Sequence, residues 1–109
     1  MQFRPDSDAR GTWTLHEPAA NTAAVVTLAA VEDEHHVIDE ILFSFNATPV
    51  SSITIAEDGT DVIVLDLVLE GAGHIPLRRP YISAKNVAVV ITIAAPGADS
   101  TAKLAVHSR

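Results

Sequence analysis

The chain has 109 residues, a formal net charge of −7 and no cysteine. This length suits one domain with a single hydrophobic core, and the composition excludes disulfide bonds and thiolate metal sites. An acidic surface repels phosphate backbones, so we expect no nucleic-acid partner. No apolar run approaches the roughly 20 residues that a membrane-spanning helix needs, so we expect no membrane insertion.

Residues 1–10 are predicted to form an N-terminal arm ahead of one domain at 11–109. Pro5, Asp6 and Asp8 interrupt this stretch, which has no periodic apolar face and no secretory signal. Phe3 is the only anchoring side chain of the arm. Two interpretations remain open: the arm is a frayed terminus, or it orders on a neighbouring subunit.

Two short strands open the predicted domain. Residues 11–16 alternate apolar and polar side chains, and residues 23–30 form a second, alanine-rich strand after a loop. Residues 36–45 fit both a helical spacing and a strand spacing. Their β-branched and aromatic content, followed by Pro49, favours a strand.

The clearest unit is a hairpin around Asp58-Gly59. Residues 49–56 and 60–70 are apolar and alternating on either side of this dipeptide. Asp-Gly between two such runs is a strong hairpin signal, because both positions of the tight turn need positive φ angles.

The second half of the chain is predicted to contain four extended pieces. Gly71-Ala72-Gly73 is read as a break, and Pro76 places residues 74–77 on a sheet edge. Residues 78–80 are read as a turn before a short extended piece at 81–83. Two more strands complete this half: they are residues 86–94, with Val87, Val89, Ile91 and Ile93 on one face, and residues 101–107, with Ala102, Leu104 and Val106 inward.

These elements predict an all-β fold, a compact antiparallel sandwich of about eight strands. The spacing of 8 to 12 residues between strands is typical of sandwiches and barrels, and no βαβ rhythm is present. We expect a jelly-roll-like arrangement, which protects sheet edges by doubling the sheet. An immunoglobulin-like sandwich is the alternative.

No cluster in the sequence predicts catalysis or metal binding. His35 and His36 are adjacent, so they point to opposite faces of a strand and cannot both ligate one ion there. No serine lies in a nucleophile elbow, and the turn explains Asp58-Gly59 without a calcium ion. We therefore expect no catalytic residue, no metal and no cofactor.

A few side chains are candidates for partner contacts. Trp13 and Tyr81 are possible surface platforms, and Arg78-Arg79 is the only pair of adjacent basic residues. Phe3 and its neighbour in the arm complete the set of partner-contact candidates: Phe3, Arg4, Trp13, Arg78, Arg79 and Tyr81.

The opening segment, residues 13–24, carries a family resemblance. Its Trp-Thr-Leu-His-Glu-Pro-Ala-Ala-Asn-Thr-Ala-Ala pattern, with residues 89–98 and 103–107 near the end, resembles small structural proteins of tailed bacteriophages. The acidic segment 32–36 and the basic segment 78–80 depart from that pattern. The resemblance implies a virion component assembled in the bacterial host cytoplasm, a decoration or cement protein that binds the major capsid protein or other virion proteins.

The sequence leaves three functions open. The first is a non-enzymatic virion protein, for which the resemblance and symmetry rules imply a homo-oligomer, with a trimer favoured. The second is a phage- or cell-surface adhesion module that binds carbohydrate on Trp13 or Tyr81. The third, the least favoured, is a cupin-like metal enzyme that uses the five histidines.

Overall fold

The computed structural model describes residues 11–47, 51–67 and 71–109. Over these residues the chain forms eight strands and no helix, so none of the described segments is a helix long and apolar enough to cross a membrane. The strands are β1 (Thr12–His16), β2 (Ala24–Leu28), β3 (Val37–Phe45), β4 (Ser51–Glu57), β5 (Thr60–Leu67), β6 (Gly71–Ile82), β7 (Val89–Ile93) and β8 (Ala102–Ser108).

The strands form two antiparallel four-stranded sheets. Sheet A has the order β1-β8-β3-β6, and sheet B has the order β2-β7-β4-β5. The pairs β1–β8, β2–β7, β3–β6 and β4–β5 are those of one long hairpin folded at the β4–β5 turn and wrapped into two layers. This is the jelly-roll arrangement, so the predicted all-β sandwich is confirmed.

The core lies between the inner faces of the two sheets. Alternate residues of β7 and β8 point into it, because side chains of a strand alternate between the two faces of its sheet. Val89, Ile91 and Ile93 are fully buried, as are Ala102, Leu104 and Val106. The inward faces predicted for these two strands are therefore confirmed, except that Val87 precedes β7 and is only half-buried.

The hairpin around Asp58-Gly59 has the predicted turn. Asp58 has a φ of 50° and Gly59 a φ of 83°, which are the two positive angles that a tight two-residue hairpin turn requires. The turn joins β4 to β5. The outer parts of the two predicted runs, residues 48–50 and 68–70, lie outside the described residues.

Sequence reasoning divided β6 wrongly. The predicted break at 71–73 and the predicted turn at 78–80 both lie inside this single twelve-residue strand. Pro76 and Pro80 fit because β6 is an edge strand of sheet A and has a neighbour on one side only. Residues 77–80 have no partners on β3, so the strand bulges where a turn was predicted.

A bulge in β3 changes which side chains face the core. Ile38 pairs with Ser108 and Glu40 pairs with His107, so Asp39 is an extra residue relative to β8. If side chains alternated strictly along β3, Asp39 would point to the same side of the sheet as Ile41. The extra residue shifts the phase, so Ile38 is fully buried, and the Asp39 carboxylate remains free to bind side chains at the sheet margin.

Candidate interaction surface

The outer face of sheet A carries a patch of exposed apolar side chains. Leu15 of β1 lies opposite Ala105 of β8, which in turn lies opposite Leu42 of β3. Trp13 lies two residues before Leu15 and therefore on the same face. Trp13, Leu15 and Leu42 are 39% to 59% exposed. We call Trp13, Leu15, Leu42 and Ala105 the apolar face.

A groove of about 310 Å³ lies in the apolar face. Its lining is apolar apart from Ser44 and Lys103, and the Lys103 ammonium pairs with Glu17 at 3.5 Å. The residues that line it are Leu15, Leu42, Phe43, Ser44, Ala72, Gly73, Lys103, Leu104 and Ala105. A groove of this composition suits an apolar side chain of a partner better than a polar metabolite.

The Asp39 carboxylate binds side chains at the C-terminal end of β8. Its Oδ2 accepts hydrogen bonds from Arg109 Nε at 2.9 Å and from His107 Nδ1 at 3.2 Å, and its Oδ1 accepts one from Arg109 Nη2 at 3.0 Å. The paired hydrogen bonds from Arg109 hold the pKa of Asp39 below its ordinary value, although partial burial acts in the opposite direction.

Trp13 is held in place by this cluster. Its ring lies 5.0 Å from the His107 ring, centroid to centroid, at a tilt of 55°. Gly11 permits the arrangement, because a Cβ at that position would lie 2.6 Å from His107 Cε1. His107 is in turn bonded to Asp39. Trp13 is therefore a half-exposed aromatic side chain with a fixed support, which suits a contact residue.

The three histidines in the first half of the chain form hydrogen bonds with backbone groups. His35 Nδ1 donates to the Ser83 carbonyl at 2.6 Å, and His36 Nε2 donates to the Ala29 carbonyl at 2.7 Å. Each of these ring nitrogens carries its proton, since a carbonyl oxygen only accepts. His16 Nδ1 instead accepts from the Val25 amide at 2.8 Å, which ties β1 to β2 across the two sheets.

Among residues 11–47, 51–67 and 71–109, no three His, Cys, Asp or Glu side chains lie together as metal ligands would. His74 pairs with the Glu40 carboxylate at 3.3 Å, and Glu40 lies opposite His107 of β8. The adjacent pair His35 and His36 contacts two different backbone segments.

Tyr81 lies at the join between the two sheets. Its ring packs against the core, and its hydroxyl donates a hydrogen bond to the Glu57 carboxylate of β4. Burial raises the pKa of Tyr81 to about 12, and the neighbouring carboxylate adds to the shift. The Tyr81 side chain thus has a partner within the fold.

The predicted contact residues do not form one site. Trp13 is on β1, whereas Arg78, Arg79 and Tyr81 are on β6 at the opposite edge of sheet A. Arg78 and Arg79 are exposed. Phe3 and Arg4 fall outside the described residues. Of this set, the structure places Trp13 in the apolar face.

Sequence reasoning missed Leu15 and Leu42 as surface residues. Leu15 shares its face with Trp13 because the two are two residues apart on one strand, and this signal is visible in the sequence. Leu42 has no such signal. Its neighbours Ile41 and Phe43 are buried, so the whole stretch is apolar, and only the register with Ala105 shows that Leu42 points outward.

Comparisons with protein-family models, with curated proteins and with solved structures found no match to this chain.

Proposed function

We propose that this chain is a non-enzymatic structural protein of a bacteriophage virion, a decoration or cement protein that binds the assembled head. The observation that carries the proposal is the apolar face, which places Trp13, Leu15 and Leu42 together in solvent. A contiguous exposed apolar patch is a common mark of an interaction site. The sequence resemblance is the reason for naming a capsid protein as the partner.

The chemistry around the apolar face fits binding better than catalysis. Asp39 forms hydrogen bonds with Arg109 and His107, and three of the other four histidines bind backbone groups. Such groups fix the shape of a surface. A protein that binds the assembled shell and not its free subunits stabilises the shell by mass action and needs no reaction of its own.

Co-sedimentation with phage heads stripped of this protein tests the proposal. The purified chain should bind the heads and raise the temperature at which they rupture. Leu15→Lys places a charge in the groove, so we expect binding to weaken at least about tenfold. Val25→Lys makes the same change on the outer face of sheet B, where Val25 is also exposed, and it should bind as the unmodified chain does.

Two outcomes would contradict the proposal. Mass spectrometry of purified virions that contain no trace of this chain would remove the virion role. Equal loss of binding in Leu15→Lys and Val25→Lys would show that the apolar face is not the contact surface.

The supported ring of Trp13 favours a second candidate function, binding of carbohydrate. Half-exposed aromatic rings stack on the apolar faces of sugars, and Asp39 and Arg109 lie nearby with hydrogen-bonding groups. Trp13 is the only tryptophan, so its fluorescence reports a bound sugar directly. Unchanged fluorescence across a glycan panel at millimolar concentration would exclude this candidate.

A further inference from the structure

The groove in the apolar face can accept one further apolar side chain. Its volume of about 310 Å³ is large enough for an aromatic ring. The lining combines the larger side chains of Leu15 and Leu42 with the small residues Ala72, Gly73 and Ala105. Small residues between larger ones leave room for a side chain that comes from another part of the chain or from a partner.

The arm, residues 1–10, joins the fold at the margin of this face. The residue that follows it, Gly11, lies against the ring of His107, where a Cβ would come within 2.6 Å of Cε1. His107 is two residues after Ala105 on β8, so its ring also lies on the outer face of sheet A. The φ of Gly11 is 83°, which no extended strand has, so the backbone leaves the line of β1 at this point.

The arm is long enough to bring Phe3 to the groove. The eight steps from Phe3 to Gly11 span up to about 28 Å when the chain is extended. Leu15 lies four residues after Gly11, about 13 Å along β1, and Leu42 lies two strands away, about 10 Å across the sheet. The groove is therefore within reach of an arm that is not fully extended.

The composition of the arm suits this face. Phe3 is its only aromatic residue, and its two arginines and two aspartates cancel. The formal net charge of −7 thus lies entirely on residues 11–109 and does not repel the arm. A segment tethered this closely has an effective concentration of about millimolar, well above that of a separate molecule in dilute solution. This advantage is the reason for naming the chain's own arm as the occupant.

We propose that the arm folds back onto the outer face of sheet A and that Phe3 occupies the groove. Burial of the phenylalanine side chain drives the docking, and closure of the loop between Phe3 and Gly11 opposes it. The two contributions are of similar size, so docked and undocked forms coexist in solution. The inference shares the groove with the proposed function but does not rest on it, because docking needs no virion partner.

Paramagnetic relaxation enhancement measures this docking in the full chain. The chain has no cysteine, so Gln2→Cys carries the only thiol and takes a nitroxide label next to Phe3. The label should broaden the methyl signals of Leu15 and Leu42. The methyl signals of Val25, which is exposed on the outer face of sheet B, should stay sharp.

Two variants of the labelled chain separate docking from the proximity of a tethered label. Phe3→Ser removes the aromatic ring, so we expect the docking equilibrium to weaken at least about tenfold and the broadening at Leu15 and Leu42 to fall with it. Arg4→Ser changes the next residue and should leave the broadening as it is. Neither position belongs to the described core, so both variants should fold as the unmodified chain does.

A mixed sample shows which chain supplies the arm. Spin-labelled chains without isotopes are added to isotope-labelled chains that lack Gln2→Cys, and the signals of Leu15 and Leu42 should stay sharp. Broadening in this sample would overturn the inference in favour of docking by a second copy. Equal broadening in Phe3→Ser and Arg4→Ser would overturn it as well, and so would equal broadening on both sheets. No phage head is present, so failure here is distinct from failure of the virion role.

Discussion

At the scale of single residues, asparagine side chains connect loops that are far apart in the sequence. Asn86 Oδ1 accepts from the Asp33 amide at 2.7 Å, and Asn46 Oδ1 accepts from the Thr101 amide at 2.7 Å. Asn21 Oδ1 accepts from the Gly97 amide at 3.0 Å. Each bond satisfies a backbone donor in a loop, so these side chains fix the loops at the ends of the sandwich.

Tyr81 should titrate well above a free tyrosine. Because burial and the Glu57 carboxylate oppose ionisation, its pKa is raised from 10.0 to about 12. The unfolded chain ionises first, so the stability that this group contributes is complete below pH 10 and is lost as the pH rises toward 12. Tyr81 is the only tyrosine, so the ultraviolet absorbance of tyrosinate follows it alone.

Tyr81→Phe is the matched variant for this titration. It removes the hydrogen bond to Glu57, so we expect a loss of about 1 kcal/mol in the free energy of unfolding at neutral pH. Its stability should then fall less steeply than that of the unmodified chain between pH 10 and pH 12. A tyrosinate signal with a midpoint near pH 10 in the folded chain would contradict the assigned environment.

At the scale of elements, local patterns predicted strands wherever a turn signal bounded an alternating run. The Asp58-Gly59 hairpin and the inward faces of β7 and β8 were predicted in this way. The continuity of β6 was not, because Gly71-Ala72-Gly73 has the composition of a break. Gly73 is required instead by the neighbouring strand. Phe43 of β3 lies opposite Gly73, and its ring covers the glycine.

Gly73→Ala tests this explanation of β6. A Cβ at residue 73 would collide with the Phe43 ring, so we expect the free energy of unfolding to fall by about 1 to 3 kcal/mol, the usual cost of overpacking. In a Phe43→Leu background the smaller side chain leaves room, and the same substitution should cost less. Urea unfolding of the four chains of this double-mutant cycle measures the difference. Equal costs in both backgrounds would contradict the steric explanation.

At the scale of the whole molecule, the sequence predicted two layers of strands but not their pairing. β1 pairs with β8 and β2 with β7, across most of the chain length. Such contacts depend on the joint packing of both sheets, which no local window contains. The apolar face also depends on this strand pairing, so no local stretch of sequence shows it. Leu42 and Leu15 become neighbours only through Ala105 on the strand between them.

Two leucines on neighbouring strands of sheet A test the two-layer arrangement directly. Leu104 of β8 is fully buried between the sheets, whereas Leu15 of β1 is exposed on the outer face. Leu104→Ala leaves a cavity in the core, so it should lower the free energy of unfolding by about 2 to 5 kcal/mol. That is a large part of the 5 to 15 kcal/mol that typically holds a domain folded. Leu15→Ala should change stability by no more than about 0.5 kcal/mol.

Urea unfolding of both variants, followed by the fluorescence of Trp13, measures these two changes under the same conditions. The experiment also separates fold from function, since Leu15→Ala is expected to reduce binding to phage heads while its stability is preserved. If Leu15→Ala destabilised the chain as much as Leu104→Ala does, Leu15 would belong to the core and not to the apolar face. The assignment of inner and outer surfaces of sheet A would then be wrong.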